Sequence, residues 1–76
     1  MKVYVSKGQQ KWIVRIVQDN ESRVYHVSST LSEAEAMAAT LRRDIGRHGD
    51  DVIDFTDFPI IVKQRFQRSG KTYWVL

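Results

Sequence analysis

Two short polar breaks near the start of the chain constrain its fold more than any other feature. Lys7-Gly8-Gln9-Gln10 and Gln18-Asp19-Asn20-Glu21 interrupt an alternating stretch and leave three runs, Lys2 to Ser6, Lys11 to Val17 and Arg23 to Ser28, rich in β-branched and aromatic residues. Asp and Asn tolerate the left-handed, locally hydrogen-bonded conformations that a tight turn needs. Connections this short join antiparallel neighbours, whereas a parallel crossover takes roughly a dozen residues or more. The three runs therefore predict an antiparallel meander.

A helix follows. Thr30-Leu31-Ser32-Glu33 fits a capping box, in which the Thr30 hydroxyl accepts from the Glu33 N–H and the Glu33 carboxylate reaches back to the Thr30 N–H. Ala34, Met37, Ala38, Leu41 and Ile45 then recur at three- and four-residue steps, the stripe of an amphipathic helix. Arg42, Arg43, Arg47 and His48 complement the dipole at its end, and Gly46 or Gly49 can terminate it in a left-handed conformation. The helix is expected from Leu31 to Arg47. Its outer face, Ala36, Ala39, Thr40, Arg43 and Arg47, is short-chained and basic.

Beyond Gly49 the spacing changes again. Pro59 opens an expected strand from Ile60 to Phe66, Gln67-Arg68-Ser69-Gly70 reads as a hairpin turn, and Lys71 to Leu76 as a last strand whose apolar end is tied into the sheet. The order β-β-β-α-β-β predicts an α+β fold, an antiparallel sheet with one helix packed on one face. With 76 residues the chain is a single small domain, residues 1–76, too short for the roughly 100 residues or more of a barrel or doubly wound fold. Alternation assigns Val3, Val5, Trp12, Val14, Ile16, Tyr25 and Val27 to the covered face, and Tyr4, Ile13, Arg15, Val17, Val24 and His26 to the other. That second face is either covered, by the C-terminal hairpin or by a second copy in a homodimer, or it is the working surface.

Several chemistries are excluded by what the chain lacks. With no Cys there is no disulfide framework, thiol nucleophile or Cys-ligated zinc. The run Asp50-Asp51-Val52-Ile53-Asp54-Phe55-Thr56-Asp57 fails the calcium-loop template, because Phe55 and Ile61 stand where its Gly and Glu belong, and it reads as a solvated connection with Asp54 or Asp57 capping a turn. His26 and His48, on a strand and at a helix end, have no metal-ligand spacing. No nucleophile-elbow motif is present, so the expectation is no catalytic residue, no metal and no cofactor. A small ribonuclease built from Arg15, His26, Lys63, Arg65 and Tyr73 is the enzymatic alternative. The segment Met1 to Lys7 has no apolar signal region and no stretch approaches a membrane span, which predicts a cytoplasmic protein without membrane contact.

Charge gives the functional lead. The net +3 is the sum of +3 over residues 1–49, −4 over 50–57 and +4 over 58–76. Lys63, Arg65, Arg68 and Lys71 cluster on the last hairpin near Tyr73, and Lys2, Lys7, Lys11, Arg15 and Arg23 lie on the first strands and their turns. Lys and Arg on strands neutralise phosphates, and a small sheet fits the major groove. Tyr4, Lys11, Arg15, His26, Lys63, Arg65, Arg68, Lys71 and Tyr73 are the candidate contact residues of a non-enzymatic binding module.

Residues 2–48, with Lys11-Trp12-Ile13-Val14-Arg15-Ile16 as second strand and Thr30-Leu31-Ser32-Glu33-Ala34 opening the helix, resemble the arm-type DNA-binding domain of phage tyrosine recombinases. That resemblance implies a sheet inserted into the major groove, with Lys2, Tyr4, Ile13, Arg15, Val24 and His26 as its groove face. The hairpin from Pro59 onward lies outside the family pattern. As a small motif-free domain of one sheet and one helix, the chain also resembles, at class level, accessory proteins of phages and mobile elements such as anti-CRISPR proteins. This implies a surface blocker that binds and inhibits a host protein or ribonucleoprotein complex.

Overall fold

The computed structural model describes residues 1–62 and 73–75. Strands β1 (Lys2–Gly8), β2 (Lys11–Gln18) and β3 (Glu21–Ser28) form the predicted meander, followed by helix α1 (Leu31–His48), two 3-10 turns (Asp50–Val52 and Phe55–Asp57), and strands β4 (Ile60–Val62) and β5 (Tyr73–Val75). The sheet order is β1-β2-β3-β4-β5, antiparallel from β1 to β4. The result is an α+β fold. Among the described residues no helix is long and apolar enough to cross a membrane.

Turn chemistry sets the registers. Gln9 and Gln10 close the first hairpin between Gly8 and Lys11, and Asp19 and Asn20, at φ 52° and 64°, close the second between Gln18 and Glu21. Positive φ at both turn residues is the geometry whose twist matches a hairpin, and Asp and Asn are among the few non-glycine residues that adopt it readily. A Cβ at Gly8 would lie 2.9 Å from Cδ1 of the fully buried Ile13, so any other residue there would displace that terminal methyl.

Helix α1 is held at both ends by its own sequence. The Thr30 hydroxyl accepts from the Glu33 N–H at 3.2 Å, while Gly49, at φ 81°, donates its N–H to the Ile45 carbonyl at 2.8 Å. Only half of the capping box forms, because the Glu33 carboxylate is turned toward His26. The predicted stripe is the packed one. Ala34, Ala38 and Leu41 are buried with Val3, Val14 and Ile16, and Met37 and Ile45 flank them. Alanine at two successive contact positions lets the helix backbone approach the sheet closely. Each large aliphatic side chain so buried contributes roughly 1.5–3 kcal/mol.

Two expectations need correction. His26 and Val27 exchange faces, because the β2–β3 register shifts between Val14 and Arg15 and leaves Tyr25 as an extra residue on β3. Tyr25 still packs on the helix-side core, but His26 pairs with Val14 on that side and Val27 pairs with Ile13 on the other. The second correction concerns the end of the chain. β4 and β5 pair in parallel, Ile60 with Tyr73 and Val62 with Val75, so they are not the two strands of a hairpin. A tight turn can only reverse the chain, whereas a parallel partner must begin again from the same end. The expected turn, Gln67 to Gly70, lies outside the described residues.

Candidate binding surface

The acidic run is integral to the fold. Val52, Ile53, Phe55 and Phe58 extend the helix-side core, so the carboxylates between them are turned outward. Asp54 caps the second 3-10 turn, accepting from the Thr56 hydroxyl at 2.6 Å and the Thr56 N–H at 3.0 Å. Those donors, the hydroxyl first, hold its carboxyl below the usual aspartate range, with Arg23 adding a smaller pull. Asp50 takes the amino group of Met1 at 3.0 Å.

Arg23 ties this segment to the sheet. It donates to the carbonyls of Phe58 at 2.8 Å and Thr56 at 3.2 Å, pairs with Glu21, and lies 4.9 Å from the centroid of the Phe55 ring. Tyr25 stacks obliquely on Phe58 at 5.3 Å. Arg23 is thus engaged in the fold. Sequence reasoning counted it with the surface cations; the available signal was its place in β3 beside the aromatic-rich segment that must return to the sheet.

The face of the sheet away from the helix has a different character. Register places Lys2 and Tyr4 of β1, Lys11, Ile13, Arg15 and Val17 of β2, and Ser22, Val24 and Val27 of β3 there. Among these described residues Lys2, Lys11 and Arg15 are cations and none is acidic. Its centre is closed to solvent, with Ile13 at 0% and Val24 at 6% exposure, while Tyr4 at the β1 edge is 41% exposed. The Arg15 guanidinium sits 5.6 Å from the centroid of the Tyr4 ring, a cation–π pair across the β1–β2 register. Arg15 Nε is buried without a hydrogen-bond partner among the described residues.

The candidates are accordingly divided. Tyr4, Lys11 and Arg15 share the helix-free face. His26 is on the helix side, its Nε2 3.6 Å from Glu33 Oε1, an ion pair when the imidazole is protonated. Tyr73 opens β5 beside Ile60, and Lys63, Arg65, Arg68 and Lys71 lie outside the described residues. Arg15 and His26, facing opposite sides of the sheet, cannot converge on one phosphate as the ribonuclease constellation requires. Among the described residues no three His, Asp or Glu side chains gather as metal ligands.

No protein-family model matches the chain, and no curated protein or solved structure is significantly similar to it. Its surface must therefore be interpreted from its own geometry. At the end of the sheet where β1 begins and β2 turns into β3, an open cleft of about 990 Å³ runs from Tyr4, Val17 and Phe55 to Asp19, Asp50 and Asp54, with Lys2 also in its lining. Lys11 lies at the other end of β2, beside the first hairpin turn. The exposed ring of Tyr4 thus stands between a cationic face and an acidic cleft.

Proposed function

We propose that the protein is a non-enzymatic binding module that contacts nucleic acid through the β1–β2 edge of its helix-free sheet face. The observation that carries this reading is the sign of that face: Lys2, Lys11 and Arg15 with the exposed ring of Tyr4, and no carboxylate among the described strand residues around them. Cations on a strand meet phosphates, and an exposed aromatic ring offers a surface on which a base can stack. Lys63, Arg65, Arg68 and Lys71 would add to the same polyanion attraction. The contact differs from the groove insertion implied by the recombinase resemblance. Buried Ile13 and Val24 and the inward-turned His26 leave the edge, rather than the centre of the face, to make it.

A second reading, a blocker of a host protein complex, is favoured by the acidic cleft beside Tyr4, which suits a partner carrying Lys or Arg. One experiment divides the two. Fluorescence anisotropy with labelled duplex and single-stranded DNA and RNA, between about 50 and 200 mM salt, is expected to show affinity falling steeply with salt. Absence of binding at micromolar protein throughout the series contradicts nucleic-acid contact and leaves the protein partner.

A further inference from the structure

The two-residue turn between Gly8 and Lys11 makes that pair hydrogen-bonded, and alternation along an antiparallel ladder then points the backbone groups of Val3, Val5 and Lys7 away from β2. Among the described strands β1 ends the sheet, so these groups form its outer edge. Among the described residues one side chain occupies that edge: Arg42 of α1, whose Nε and Nη2 donate to the Val3 carbonyl at 3.2 and 2.8 Å. Beside it runs a largely apolar groove of about 360 Å³, lined by Val3, Tyr4, Ile45 and Gly46 with Lys2 and Arg42 as its charged residues. Gly46 leaves the groove open, since a Cβ there would meet nothing within 4 Å.

We propose that the β1 edge docks an extended peptide carrying an acidic side chain, with Arg42 as the cation that recognises it. An added strand takes up the outward backbone groups of β1 and lays alternate side chains into the groove. The carbonyl of Val3 then passes from Arg42 to the incoming strand, and the freed guanidinium takes the carboxylate, an ion pair stronger than its bond to a neutral carbonyl. Charge selects this occupant over a second copy of the chain, because pairing two β1 edges brings Lys2, Lys7 and Arg42 together with their own duplicates. This surface shares Lys2 and Tyr4 with the proposed nucleic-acid contact, while Arg42, Ile45 and Gly46 belong to the groove and Lys11 and Arg15 do not.

The test uses the isotope-labelled full chain and the capped peptide acetyl-Thr-Val-Glu-Val-Thr-amide, with its Gln counterpart as control. Amide shifts at Val3, Val5 and Lys7, and slowed hydrogen exchange at Val5 and Lys7, are expected on adding the acidic peptide. It should bind roughly tenfold more tightly than the Gln peptide, the gain when the guanidinium meets a carboxylate and not a neutral amide oxygen. Arg42→Gln should erase that difference while leaving salt-dependent nucleic-acid binding unchanged. Gly46→Leu, which fills the groove from a helix position that tolerates a side chain, should weaken both peptides with the circular dichroism unaltered. Unshifted β1 amides at millimolar peptide, or equal affinity for the two peptides, overturn the proposal. Edge protection that rises with protein concentration alone also overturns it, in favour of a second copy.

Discussion

The two sides of this sheet are built from the same alternating strands and differ in what surrounds their side chains. On the helix side, Val3, Val14 and Ile16 meet Ala34, Ala38 and Leu41, and these six positions are explained by packing. On the other side, Ile13 and Val24 are buried at the centre, yet Tyr4 on the edge strand and Lys11 at the end of β2 are exposed, and Arg15 of β2 lies over the Tyr4 ring. A buried position is fixed by volume, so its identity reveals the fold. An edge position is free to vary, so a run of one sign there points to a partner.

The largest test of this contrast compares two isoleucines. Ile16→Ala removes a fully buried side chain from the helix side and should cost roughly 2–5 kcal/mol in urea unfolding. Ile13→Ala should cost a similar amount, because its side chain is equally buried on the opposite face. A negligible cost at Ile13 would break the division drawn here between a closed centre and an open edge. Next in size is Arg23→Ala, which removes the guanidinium from the part-buried carbonyl of Phe58 and the exposed one of Thr56 and should cost about 1.5–3 kcal/mol, the range for charged hydrogen bonds. If Arg23 instead belonged to the binding surface, its loss would lower affinity with little change in the unfolding midpoint.

Much of the helix side was legible in the sequence. The stripe from Ala34 to Ile45, the Thr30 cap and the Asp19-Asn20 turn are local patterns whose physics does not depend on the rest of the chain. What failed was long-range. Nothing local marks Tyr25 as a bulge; two strands must be paired before an extra residue exists, and that one residue turned His26 inward and Val27 outward. The parallel β4–β5 pair was masked by a Gln-Arg-Ser-Gly sequence that reads as a turn. Arg42 was taken as a complement to the helix dipole, although its place four residues after buried Ala38 sets it at the border of the core stripe, within reach of β1. Of the candidate site, the clustering of Tyr4 with Arg15 followed from alternation, and the burial of Ile13 and Val24 agrees with the covered alternative that the strand pattern had left open.

The acidic end offers the smallest effect. Asp54 is held below the usual aspartate range, so its contribution to stability is present above that range and is lost as pH falls through its folded-state value. Asp54→Asn should therefore lower the urea midpoint modestly at neutral pH and leave it close to the native value in strongly acidic solution, which flattens the acid limb. An unchanged acid limb would remove Asp54 from the account of this segment.

Lys7 and Lys11 allow the most direct test, because they flank the same hairpin on opposite faces. Lys7 stands over the Trp12 ring on the helix side, at 5.6 Å, and Lys11 projects from the helix-free face. The measurement is the salt slope of nucleic-acid binding for the native chain and for Lys7→Gln and Lys11→Gln, by anisotropy on one duplex. Loss of one phosphate contact at Lys11 should lower the log–log slope by about 0.9 and weaken binding, while Lys7→Gln leaves the slope unchanged. Equal slopes for the two variants would contradict a cationic binding face on the side of the sheet away from the helix.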